Sequence, residues 1–192
     1  MEWLSTCRLA AMVLALVWPM TQAETERALS IGRAFDEERA RFHQPYVVAV
    51  NDPVVEKIEV VTEFRRVVLF AEEQLRRGDH LFGVRQAEAA MRPWHGKVTV
   101  VARLRFHPMN TFMSVPPYDI TIGDPPVASL EVRRAAEYGF ASNKKQAPAP
   151  LTGAIVESDF DAADIGQAVR PFRVVLQGKE VIRTSVDFST LQ

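Results

Sequence analysis

The chain has 192 residues, 47% of them hydrophobic and 24% charged, with a formal net charge of -1 at pH 7. So even a balance leaves no basic footprint for nucleic acid, and a single cysteine, Cys7, excludes a disulfide framework or a thiolate metal cluster within the chain. A chain of this length can bury roughly 70% of its unfolded surface, enough for one domain or a small domain with a helical annex.

At the N-terminus, Arg8 precedes an apolar run from Leu9 to Trp18, then Pro19 and the small-residue end Thr21-Gln22-Ala23. This is the layout of a secretory signal peptide over residues 1–23, with cleavage expected after Ala23. The run is about half of the roughly 20 residues that span a bilayer, and no later stretch is long and apolar enough to do so. Cys7 would leave with the signal, and the mature chain would hold no cysteine.

Residues 24–95 read as a helical segment. From Thr25 to His43 the apolar residues Ala28, Ile31, Phe35 and Phe42 share one helical face, and Glu37 and Arg41 form a favourable i,i+4 pair. Gly32 weakens this helix and Pro45 ends it. Next, Asp52 suits an N-cap and Pro53 a first helical position. Val54, Ile58, Val61, Phe64, Val68, Ala71 and Leu75 then recur at spacings of three and four, up to a stop at Gly78. A long helix from Pro53 to Arg77 is predicted. Its many β-branched residues favour a strand locally, but the periodicity outweighs that preference. Within it Phe64, Val67, Leu69 and Phe70 help leave no clean polar face, so it is expected to be buried on more than one side, by its own chain or as an interface helix. A short helix from Val84 to Met91 follows, stopped by Pro93.

Then the period changes to two. Val98, Val100, Ala102, Leu104 and Phe106 alternate with Thr99, Val101, Arg103, Arg105 and His107, which reads as a half-buried strand. Further β-like runs are Thr111 to Val115, Tyr118 to Ile122, Ala128 to Tyr138, Thr152 to Phe160, Arg170 to Leu176 and Val181 to Phe188, the last two forming a hairpin. Proline pairs at Pro116-Pro117 and Pro125-Pro126 bracket one strand, a device of sheet edges. The stretch from Ala141 to Pro150 reads as a polar, mobile loop. Residues 96–192 are therefore expected to form an antiparallel β-sandwich of immunoglobulin-like type. The fold class is α+β, with helices packed on the sandwich.

Chemistry-bearing motifs are sparse. The four histidines, His43, His80, His95 and His107, lack metal-ligand spacing. Glu157, Asp159, Asp161 and Asp164 depart from the calcium-loop pattern and on a strand would make a solvated face. Neither a G-x-S-x-G elbow nor an S-x-x-K motif is present. No metal or cofactor is expected. The tripeptide Arg-Phe-His occurs twice, ending at His43 and at His107, but once at a helix end and once at a strand end.

The positive feature is the outer face of the first strand. There Arg103, Arg105 and His107 line up, with Trp94 and His95 just upstream. Arginine beside an aromatic is the composition that dominates protein interfaces, although charged outer faces are common and Trp94 also fits as a plug between helices and sheet. The chain is thus expected to be an exported, non-catalytic binding or assembly protein of the bacterial envelope, periplasmic or extracellular, meeting an envelope protein or a second copy. The alternative is a secreted hydrolase of envelope or extracellular polymer.

Overall fold

A computed structural model describes residues 20–139 and 149–192. Most of the expected signal peptide and most of the polar loop at 141–150 lie outside those residues. In chain order the elements are α1 (Gln22–Gly32), α2 (Asp36–His43), β1 (Val47–Ala49), β2 (Val55–Val61), α3 (Glu63–Arg76), α4 (Val84–Met91), β3 (Lys97–Arg105), β4 (Tyr118–Ile122), β5 (Glu131–Tyr138), β6 (Leu151–Asp161), α5 (Ala162–Ile165), β7 (Val169–Leu176) and β8 (Lys179–Asp187). The fold is α+β. A five-stranded sheet runs in the order β1-β2-β3-β6-β5 and a three-stranded sheet in the order β4-β7-β8, with every neighbouring pair antiparallel.

Alternation builds the core between the sheets. Val100, Ala102 and Leu104 of β3 turn inward with Val156 and Phe160 of β6, and meet Ile120, Phe172 and Val174 from the smaller sheet in one apolar cluster. A second cluster holds the helices together, with Leu29 of α1, Phe64 and Val68 of α3 and Met91 of α4 buried against one another. None of the described helices is long and apolar enough to cross a membrane.

The predicted helix from Pro53 to Arg77 is instead two elements. Its first half is β2, hydrogen-bonded along β3, so β1 and β2 carry the larger sheet into the stretch read as helical. The register shifts between Val55 and Lys57, which inserts one extra residue, Glu56, into the strand. Val55 and Ile58 therefore both face the core although three residues apart, and the bulge imitates a helical spacing. The Asp52 carboxylate accepts the backbone N–H groups of Val54 and Val55, each at 2.8 Å, and so turns the chain into a strand rather than capping a helix. The helix starts at Thr62, whose hydroxyl accepts the Arg65 N–H.

The predicted helix from Thr25 to His43 also breaks, after Gly32. A Cβ on Gly32 would lie 2.5 Å from the Ala71 Cβ and 2.6 Å from the Val68 carbonyl oxygen, so the last turn of α1 rests directly on α3. Phe35, expected on the apolar face, occupies the N-cap of α2 and is 87% exposed. The run from Thr111 to Val115 is not a strand but part of the loop joining β3 to β4. The remaining predicted strands and the helix Val84–Met91 form close to where they were expected.

Candidate functional site

Strand β3 is the axis on which the expected binding residues lie, and it places them at opposite ends. Trp94 and His95 precede its first residue, Lys97, whereas Arg103, Arg105 and His107 occupy its last turns of pleat and just beyond. Eight strand steps at about 3.3 Å separate the two groups by roughly 26 Å. They form two separate regions.

The first region is a buried polar latch between helices and sheet. Arg66 of α3 lays its guanidinium 3.7 Å from the Trp94 ring centroid, with Arg133 of β5 at 5.3 Å and Lys97 at 6.0 Å. Beneath them the Asp159 carboxylate, only 1% exposed, accepts from the Thr99 hydroxyl at 2.6 Å and from both terminal nitrogens of Arg133 at 2.6 and 3.0 Å. Arg66 in turn donates to the Thr99 hydroxyl. Burial pushes the Asp159 carboxyl up, but hydrogen bonds from Arg133 and Thr99 and the nearby guanidinium charges outweigh it and hold the group below its ordinary value. Burial pulls the Arg66 guanidinium down to about 10, against the opposing charges of Asp159 and Glu157. His95 stands at the rim, its Nδ1 3.5 Å from Glu63, whose other oxygen accepts the Gly96 N–H.

A second polar chain runs through α2 and α3. Arg65, buried, donates to the Val60 carbonyl at 2.6 Å, to Glu59 at 2.8 Å and to Nδ1 of His43, while Nε2 of His43 faces Glu72. With Nδ1 accepting, the proton sits on Nε2 and is donated to Glu72. Burial raises the Glu59 carboxyl, but the hydrogen bonds and charges of Lys57 and Arg65 bring it below its ordinary value. Among the described residues no serine or threonine hydroxyl bonds to a histidine ring. On the interface-helix candidates, Phe64 and Val67 are covered by the protein's own helices, and Leu69 and Phe70 are half-buried.

The second region lies where β3 ends. Arg105 pairs with Glu56 at 2.8 Å and Arg103 with Glu137 at 3.4 Å. These pairs border a cleft of about 430 Å³ lined by Glu56, Arg105, Phe106, Pro108, Glu137 and Leu151. Beside it runs the loop from Phe106 to Pro117, without helix or strand but closely braced. The Asn110 side-chain amide donates to the carbonyls of His107 and Leu151 at 2.7 and 2.9 Å, and its oxygen accepts the Phe112 N–H at 3.0 Å. His107 is exposed, and its Nδ1 accepts the Met109 N–H at 3.1 Å. Phe106 packs inward against Tyr118 and edge-on against Phe112.

From this fixed backbone Met109 is 81% exposed and Met113 90%, with Phe112 partly exposed between them. The chain matches no protein family, no curated protein and no solved structure. The site's own geometry therefore carries the functional reading. A larger hollow of about 600 Å³ opens between α1, α2 and the start of α4, but of its lining residues only Phe35 is a large apolar side chain exposed to solvent. Among the described residues, only the β3–β4 loop gathers several exposed apolar side chains on one short, pinned segment.

Sequence reasoning named Arg103, Arg105 and His107 at this end and missed Met109, Phe112 and Met113; it read the last two as part of a strand from Thr111 to Val115 and gave Met109 no role. The signal that could have found them was Asn110, a turn-forming residue between proline-bearing segments. It also missed Asp159 as a buried group, because the guanidiniums set against it, Arg133 of β5 and Arg66 of α3, are distant in sequence.

Proposed function

We propose that the chain is an exported, non-catalytic binding or assembly protein that meets an envelope partner through the β3–β4 loop. The observation that carries this reading is the exposure of Met109 and Met113 from a backbone held by Asn110. A pinned loop cannot fold its apolar groups away, and a contact surface ordered in advance loses less entropy on binding. Methionine is unbranched and polarisable and suits surfaces that mould to a partner.

The fold we propose is an immunoglobulin-like sandwich. Its support is strand order: β2-β3-β6-β5 facing β4-β7-β8 follows the A-B-E-D and C-F-G order of a constant-type domain. On that reading β1 is an added edge strand, and α3 and α4 are inserted between A and B. The methionine loop is then the B–C connection, which in variable domains belongs to the end that carries the recognition loops. The fold alone does not specify a role. Export rests on the signal-like layout of Arg8, Leu9 to Trp18 and Ala23.

The test is capture of a partner from an envelope extract of the producing cells by the tagged full chain. A stoichiometric partner is expected with the native protein and not with the double variant Met109→Asp, Met113→Asp. Equal capture by both proteins would overturn the role of the loop, and a clean monomer without a partner would overturn the binding reading itself.

A further inference from the structure

We propose that Met109 and Met113 form an oxidation-sensitive pair: thioethers that each take one oxygen atom from a peroxide-class oxidant, turning the β3–β4 loop from apolar to polar without loosening the fold. As regulation of the contact surface this rests on the binding reading above; as chemistry it does not.

Two contrasts carry the inference. The first is access. Met91 is 3% exposed in the helical cluster and Met20 packs half-buried against the same cluster, while Met109 and Met113 stand in solvent. The one cysteine, Cys7, falls within the expected signal peptide. Susceptibility to oxidants follows exposure, so among the methionines of the described residues attack concentrates on one loop.

The second contrast is between side chain and backbone. The bonds that shape the loop are made by the Asn110 side chain, by backbone amides and by His107, whose Nδ1 and carbonyl oxygen accept, and none involves a methionine sulfur. The reaction itself adds no charge. A sulfur lone pair attacks one peroxide oxygen, the O–O bond breaks as the S–O bond forms, and the proton of the attacked oxygen passes through solvent to the other, which leaves as water. Sulfur is oxidised by two electrons and the peroxide is reduced by two. The Arg105–Glu56 and Arg103–Glu137 pairs beside the loop are left as they were, whereas the apolar tips become strongly dipolar sulfoxides.

The experiment exposes the folded full chain to hydrogen peroxide. It follows each methionine by peptide mass mapping, the surface by hydrophobic-interaction chromatography and the fold by thermal melting. Met109 and Met113 should gain oxygen on the order of tenfold faster than Met91. The product should elute earlier with an unchanged melting midpoint, and methionine sulfoxide reductase should restore the elution. The variant Met109→Leu, Met113→Leu should keep its late elution after the same treatment. Oxidation of Met91 in step with the pair, a melting midpoint that falls as they oxidise, or unchanged elution at full conversion would each overturn the proposal. Failed partner capture with the elution shift intact would sink the binding reading alone.

Discussion

Where β3 begins, Asp159 and Thr99 lie out of solvent beneath Arg66, Arg133 and Trp94; where it finishes, Met109 and Met113 stand almost wholly in water. One end of the strand buries charge and the other exposes apolar sulfur, the reverse of what transfer free energies favour for each group taken alone. The buried charges are compensated, each hydrogen-bonded to a partner from a different element, so that the cluster ties α3, β3, β5 and β6 together. Among the described residues, the exposed methionines have no such compensation. An uncompensated cost that the local backbone enforces is where recognition is to be sought, and a compensated one is where stability is to be sought.

The largest effect that separates the two ends should come from Asp159→Asn. The amide removes the charge facing two arginines and leaves donors opposed, and the loss at pH 7 should be about 3 kcal/mol, the lower part of the range for a broken buried pair because Arg133 is partly exposed. Urea unfolding of the two proteins measures it. The pH dependence has a definite sign. The folded Asp159 carboxyl titrates below its ordinary value, so its contribution is complete above an ordinary carboxylate pKa of about 4 and is lost as pH falls through the depressed value. The gap between native and Asn proteins should narrow in that acid window and close beneath it. A gap independent of pH would mean that the charge does not hold the latch.

Next in size is Gly32→Val. The added Cβ alone would overlap the Ala71 Cβ and the Val68 carbonyl, forcing α1 off α3, for a net loss of about 2 kcal/mol in the same assay. A neutral result would show that α1 does not rest on α3 as closely as the Gly32 contact implies.

Gly32 also shows where sequence reasoning stops. As a helix former it is poor, and that much is local; that it is the contact point of two helices depends on Ala71, far along the chain. The inward set Val98, Val100, Ala102 and Leu104 was legible because a half-buried strand writes its burial directly as alternation. β2 was not, because the bulge at Glu56 converts a period of two into a spacing of three. Arg103, Arg105 and His107 were legible as an outer face for the same reason as β3. Asp159 was read as solvated since its own strand neighbours, Glu157 and Asp161, are charged, and the groups set against it, Arg133 and Arg66, come from other elements. Phe112 and Met113 read as strand because apolar runs without a clear turn signal default to one, and one of the Asn110 bonds that make a loop of this stretch reaches as far as Leu151.

At the far end the expected effects on stability are smaller. Asn110→Ala removes three hydrogen bonds of a partly exposed side chain and should cost about 1 kcal/mol. Its more telling readout is faster amide hydrogen exchange in the Phe112 region, since the loop would lose its brace while both sheets keep their cores. Unchanged exchange there would mean that the loop owes its shape to the packing of Phe106 and Phe112 instead.

Smallest of all should be Met109→Asp with Met113→Asp, within about 0.5 kcal/mol of the native protein, because side chains already in water lose little when replaced by polar ones. This pair sharpens the contrast most, since it inverts the order of effects. If the loop is a contact surface, the variant that scarcely moves the unfolding curve should abolish association, and Asp159→Asn, still folded at pH 7, should leave association nearly intact while shifting the curve the most. A melting midpoint that drops with the aspartates would mean that the methionines pack within the chain, and the opposition between a stabilising end and a recognising end would not hold.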